Sequence, residues 1–208
     1  TGALGNIYFG KAKALRRRGV PTWGSFLNKE IQGGGPLIDI GTHVLDLILW
    51  EMDNYEPLYC VGSTYQEFKY QKNTANWFGD WDSEKYEIED SGFGFIVMKN
   101  GATIILESSW ALNSLDNDDG KILICGSQSG VDNYDGFRIN GVENNQFYTK
   151  KPELYQPVRP EVMEALNFTN SILGKEEPVC PGKQAGVVVD ILEGIYESAR
   201  TNKPYYFK

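Results

Sequence analysis

Two β-type runs, 91–99 and 102–110, flank the dipeptide Asn100-Gly101. An Asn-Gly pair accommodates the positive φ angles of a type I′ turn, so this pattern predicts an antiparallel hairpin. Further β-type runs surround it. Residues 7–15 read as a first strand, 58–69 as a second and 121–125 as another, with one or two more within 131–149. Residues 16–35, 71–88 and 113–120 read as irregular segments. Helical signals fall at three places. Pro36 suits a first helical position and precedes an apolar run to Trp50. Residues 161–173 place Val162, Leu166, Thr169 and Leu173 on one face, and 182–200 place Val188, Ile191, Leu192, Ile195 and Ala199 at helical spacing. Strands that cluster mid-chain with short links predict an α+β fold: an open, predominantly antiparallel or mixed sheet with helices on one face. No linker or repeat divides residues 1–208, so a single domain is expected.

Composition narrows the function. Twenty basic against 28 acidic residues give a net charge of −8, which lacks the basic footprint that nucleic acid or an anionic membrane requires. Apolar runs such as 187–189 are far short of the ~20 residues of a membrane span. Cys60, Cys125 and Cys180 are odd in number and form no CxxC, which argues against a disulfide framework or zinc knuckle and fits a reducing, cytoplasmic setting. His43 is the single histidine, so multi-histidine metal sites cannot form within the chain and none is expected. The chain opens at Thr1 without Met or a signal sequence and enters a strand almost at once. It reads as a piece of a longer polypeptide.

The segment 33–50, GGGPLIDIGTHVLDLILW, carries the clearest chemistry. At 100° per residue, Asp39, His43, Asp46 and Trp50 fall within an arc of roughly 60°, while apolar residues cover the other sides. Such a helix should be largely buried, and burying carboxylates and an imidazole is costly unless they are paired or face a cleft. Two readings stay open: a satisfied or solvent-facing structural stripe, and a general acid/base pair lining a cleft. Gly33–Gly35 and Gly41 permit close approach, either of a ligand or of helix to sheet.

Other features weigh less. Arg16-Arg17-Arg18 is a solvated surface or an anion site. Trp23, in Trp-Gly-Ser-Phe, could stack on a sugar or nicotinamide ring, or plug the sheet. Trp77, Phe78 and Trp81 suit a subunit contact better than carbohydrate stacking. The run 116–120 has the look of a calcium loop but lacks the bidentate acid at its far end. Gly92-Phe93-Gly94 is no dinucleotide fingerprint, and no Walker A or GxSxG motif occurs.

Segment 33–50 resembles the helix that opens the C-terminal domain of the Gfo/Idh/MocA oxidoreductases. GNIYFGKAKALRRRGVPTWGSF, IEDSGFGFIVMKNGATIILESSW and EEPVCPGKQAGVVVDILEGIYESARTNKP resemble that domain's first strand and loop, central hairpin and last helix. The resemblance implies a C-terminal domain like those of dihydrodipicolinate reductase and glyceraldehyde-3-phosphate dehydrogenase. It implies an NAD- or NADP-binding Rossmann domain that this chain lacks, with a sugar, polyol or cyclitol substrate held between the two. By resemblance His43 is the acid/base that acts during hydride transfer, Asp39 contacts substrate or orients it, and Trp23 approaches substrate or nicotinamide. Arg16 falls in a run shared with one subgroup and is a further substrate-binding candidate. The family's Glu-Lys-Pro lysine is missing, since Lys151-Pro152 and Lys203-Pro204 stand in the wrong context. The chain alone is therefore expected to be inactive. A non-catalytic sugar-binding or interaction module is the alternative; a third branch, NAD-dependent glycosidases, lacks its local signature here. The resemblance also implies a homodimer or homotetramer built on the open sheet face, with Trp110, Phe147 and Tyr148 as exposed-looking aromatics.

Overall fold

The computed structural model describes residues 2–115, 117–153 and 158–208; Thr1 and Asp116 of the acidic run lie outside them. Strand β1 (Ile7–Leu15) leads through a loop and a short helix α1 (Lys29–Gln32) to a π-helical turn, Leu37–Gly41, which runs into α2 (Thr42–Met52). Then follow β2 (Pro57–Tyr65), β3 (Ser91–Met98), β4 (Thr103–Ser109), β5 (Lys121–Gly126), β6 (Ser129–Asp132), β7 (Arg138–Glu143) and β8 (Gln146–Lys150). Helices α3 (Pro160–Ile172) and α4 (Gly182–Thr201) and a short β9 (Tyr205–Tyr206) end the chain.

The nine strands form one open sheet in the order β8-β7-β6-β5-β1-β4-β3-β2-β9. Every neighbouring pair is antiparallel except β1 and β4, which run parallel with Ala12 opposite Leu106. The expected mixed, mainly antiparallel sheet is therefore present.

Period-two alternation decides the sheet's faces. Ala12 and Ala14 of β1, Ile96 and Met98 of β3, and Ile104 and Leu106 of β4 are fully buried beneath α2 and α4, which touch each other on one side of the sheet. Helix α2 contributes Val44, Leu45, Ile48 and Leu49, and α4 contributes Val188, Ile191, Leu192 and Ile195. On the other face Val61, Tyr65 and Phe95 are exposed, and Lys11 pairs with Glu107 at 2.6 Å.

Two expectations are corrected. The 91–110 hairpin forms, but its turn is not type I′. Gly101 takes a positive φ (88°) and Asn100 does not. The Met98 carbonyl accepts from Gly101 N (2.9 Å), Met98 N donates to the Ala102 carbonyl (2.8 Å), and Asn100 Oδ1 accepts from Ala102 N (3.0 Å). The loop thus has three residues, Lys99-Asn100-Gly101, with one glycine in the left-handed region. Second, Trp110 is not an exposed aromatic. It shares the buried face of Ile104 and Leu106 and is 0% exposed, whereas Phe147 is 94% exposed. Helix α3 forms where expected, and Val162, Leu166 and Leu173 are exposed.

Candidate active site

The site is built around the first turns of the helix after Gly33–Gly35. Gly35 lies so close to Glu89 that a side chain there would run into the Glu89 carbonyl. Glu89 Oε1 accepts hydrogen bonds from Gly35 N (2.9 Å), Leu37 N (3.4 Å) and the Tyr196 hydroxyl (2.6 Å). Burial pushes the Glu89 carboxyl above its ordinary pKa, and these donors oppose that rise. Burial, with Glu89 beside it, also raises the Tyr196 phenol. A carboxylate thus occupies the positive end of the helix.

The next turn is π-helical because the sheet reaches into it. The buried Ser108 hydroxyl donates to the Pro36 carbonyl (2.7 Å), and a side chain inserted beside a helical turn distorts the bonding ladder. Gly41 makes room for it: a Cβ there would lie 3.1 Å from Ser108 Oγ. Gly41 therefore serves helix–sheet packing. Wide turns of this kind recur at functional sites.

Asp39 projects from this turn. It is half-buried, and its Oδ2 accepts from the Trp110 indole Nε1–H at 2.9 Å. Trp110 is itself held by the sheet, its backbone N donating to the Asp90 carbonyl (2.9 Å). The Asp90 carboxylate accepts from Phe68 N (2.7 Å) and Ser91 Oγ (3.3 Å), and burial pushes its pKa up to about 6. His43 stands one turn beyond Asp39. It is exposed and makes no hydrogen bond to another described residue. Asp46 is half-buried near Tyr55, whose phenol burial and then Asp46 push up to about 12. Trp50 is exposed. The polar stripe is thus the accessible edge of an otherwise buried helix.

An aromatic chain leads from this pair to the surface. Phe26 meets Trp110 edge-on (6.2 Å between ring centres) and Trp23 at 5.7 Å, and Trp23 meets Phe78 at 4.8 Å. Trp23 is 52% exposed, so it joins the Asp39–Trp110 pair at one remove while keeping a solvent-facing surface. Arg16 does not join them. Its Nε donates to Asp119 Oδ2 (3.1 Å), and Lys13 pairs with Asp118 (3.2 Å). Arg18 donates to the Leu112 carbonyl (3.2 Å) and Asn113 Oδ1 (2.5 Å) and lies over the Phe68 ring. The arginine run and the acidic loop therefore tie each other down. Trp81 is likewise internal, donating to the Lys69 carbonyl (2.9 Å), while Trp77 and Phe78 stay exposed.

Ser108, Glu89 and Asp90 were not among the residues that the sequence pointed to, and Trp110 was singled out only as an exposed-looking aromatic of a subunit contact. One signal was present: residues 102, 104, 106, 108 and 110 share one face of a strand, and the first three are apolar. Among the described residues, no group of three His, Cys, Asp or Glu side chains converges on a metal position. The helix N-terminus does not fit a dinucleotide pyrophosphate, because Glu89 already accepts from the Gly35 and Leu37 N–H groups that would cradle it. No helix of the described residues is long and apolar enough to cross a membrane.

The family model described as the GFO/IDH/MocA C-terminal domain matches residues 1–131. The D-glucoside 3-dehydrogenase of Escherichia coli (strain K12) is 34% identical over 200 residues, which cover 96% of this chain and 56% of the relative. The chain therefore spans little more than half the length of that relative. The fold is shared with the aldose-aldose oxidoreductase of Caulobacter crescentus, solved with glycerol (TM-score 0.73, 20% identity, 99% of this chain and 57% of that one). It is also shared with a levoglucosan dehydrogenase in complex with NADH and L-sorbose (TM-score 0.75, 16% identity, 100% and 60%).

Proposed function

Because this chain belongs to the Gfo/Idh/MocA oxidoreductases and matches their C-terminal domain, we propose that it is the substrate-side domain of an NAD(P)-dependent dehydrogenase of sugars, sugar derivatives or cyclitols. The observation that carries this reading is the accessible His43 one turn from an Asp39 whose carboxylate is anchored from behind by Trp110. A nicotinamide, held by a Rossmann domain outside these residues, supplies the hydride acceptor or donor. The names of the relatives, a glucoside and a levoglucosan dehydrogenase among them, support a sugar-like substrate.

The chain's own residues do the proton chemistry. Imidazole both takes and returns a proton near neutral pH, so His43 accepts the hydroxyl proton during oxidation and returns it during reduction. Asp39 presents Oδ1, which has no partner among the described residues, to a neighbouring substrate hydroxyl. Trp23 offers an apolar face to the sugar or nicotinamide ring. Arg16, its Nε committed to Asp119, contributes at most its terminal nitrogens to substrate binding. The described residues carry no dinucleotide cradle, and the chain by itself does not turn over. The uncovered sheet face, with Val61, Tyr65 and Phe95, is the contact of a homodimer or homotetramer in the cytoplasm; sedimentation as a monomer at high concentration would overturn that part.

The test is a redox assay of the longer protein with NAD+ and NADP+ against a panel of sugars and inositols. His43→Ala should lower turnover by about 10²-fold or more, the range expected for loss of a general acid/base. Undiminished turnover in the variant would sink the reading. Sugar binding without turnover in the longer protein would favour a non-catalytic binding module.

A further inference from the structure

We infer that Trp110 is a positioning residue, whose indole N–H fixes the rotation of the Asp39 carboxylate and so aims its second oxygen at the substrate. The inference rests on the proposed role of Asp39 and His43. Trp110 is 0% exposed and cannot touch substrate itself. An indole N–H is a donor only, and here it meets one acceptor, Asp39 Oδ2, at 2.9 Å. A carboxylate torsion is broad and two-fold by nature, so a half-buried Asp on a helix edge has no single preferred orientation. One fixed donor behind it removes that freedom.

What fixes the donor is the sheet rather than the helix. Trp110 continues β4, its backbone N and that of Ala111 both donate to the Asp90 carbonyl (2.9 and 3.4 Å), and the Ser109 hydroxyl adds a third contact there (3.4 Å). Phe26 closes the ring from the side, edge-on at 72°. The tie spans 71 residues of sequence and joins the π-helical turn to the central hairpin. Ser108, two residues earlier on the same strand face, holds the Pro36 carbonyl of that turn (2.7 Å). One face of β4 and its continuation therefore sets both the path of the turn and the direction of its carboxylate.

The test is a double-mutant cycle in the longer protein, reading kcat and KM for the best sugar substrate. Trp110→Phe keeps an aromatic ring and removes the N–H; it should lower kcat/KM by about 10-fold or more. In an Asp39→Ala background the same change should alter kcat/KM by less than about 2-fold, because the group it aims is gone. Equal losses in both backgrounds would overturn the proposal and make Trp110 a packing residue. Should Trp110→Phe fail to fold, benzothienylalanine at position 110 keeps the shape, replaces N–H with sulfur, and should reproduce the loss. In the same protein labelled with ¹⁵N-tryptophan, Asp39→Ala should move the Trp110 indole resonance; an unmoved resonance would overturn the hydrogen bond whatever the activity. Absence of turnover in the unsubstituted protein would instead overturn the dehydrogenase reading, and the catalytic role with it.

Discussion

Helices α3 and α4 both carry apolar residues at helical spacing, yet one is core and the other is surface. In α4, Val188, Ile191, Leu192 and Ile195 are buried against β2 and β3. In α3 no residue is buried, and Leu166, Phe168 and Ile172 are 54%, 69% and 70% exposed. The difference lies in what faces each helix. The sheet offers α4 a socket at Gly62, where a Cβ would fall 2.6 Å from Ile195 Cγ2. Among the described residues, α3 buries no side chain against the sheet. Periodicity thus locates a helix and its apolar side, while burial depends on a complementary surface brought from elsewhere in the chain.

Ile191→Ala gives the largest expected effect on this contrast. Truncating a fully buried Ile should cost about 2–5 kcal/mol, seen as a lower urea midpoint with an unchanged slope. A loss below 1 kcal/mol would mean that α4 is not packed as described.

Asp90 comes next, as the buried carboxyl that accepts from Phe68 N and Ser91 Oγ at the start of β3. Its native pKa of about 6 lies above the ordinary 3.8, so the folded state holds a proton that the unfolded chain releases. The associated stability is fully present below pH ~4 and lost as pH rises through ~6. Two units correspond to about 3 kcal/mol. Asp90→Asn should remove this part of the slope in denaturation curves taken between pH 4 and 7. A variant with the full slope would assign it to other groups, Glu89 first, whose carboxyl is also raised by burial.

The smallest effect belongs to α3. Leu166→Ala should change stability by no more than about 0.5 kcal/mol. A cost near that of Ile191→Ala would show that the α3 face is packed in solution, and the comparison between the two helices would fall.

Much of the fold was legible because its signals are local. β1 matches its predicted bounds, the hairpin lies where Asn-Gly and alternation put it, and Gly182–Thr201 follows the apolar spacing. Asp39 and His43 were also legible, since the carboxylate and imidazole stand about one turn apart on a helix that is apolar elsewhere. The turn type was misread because Asn-Gly serves two loop lengths, and only the strand register selects between them.

By itself, then, the sequence determined most of the elements (α1 and β9 excepted), the α+β class and the stripe that bears the candidate acid/base pair, because each depends on spacings of a few residues. Tertiary structure alone decided that Ser108 would open a π turn at Pro36, that Glu89 would occupy the helix N-terminus, and that Trp110 would be buried with its N–H on Asp39. Those contacts join residues 54 to 72 positions apart. Their partners are chosen by sheet register and by the fit of helix to strand, which no local pattern encodes.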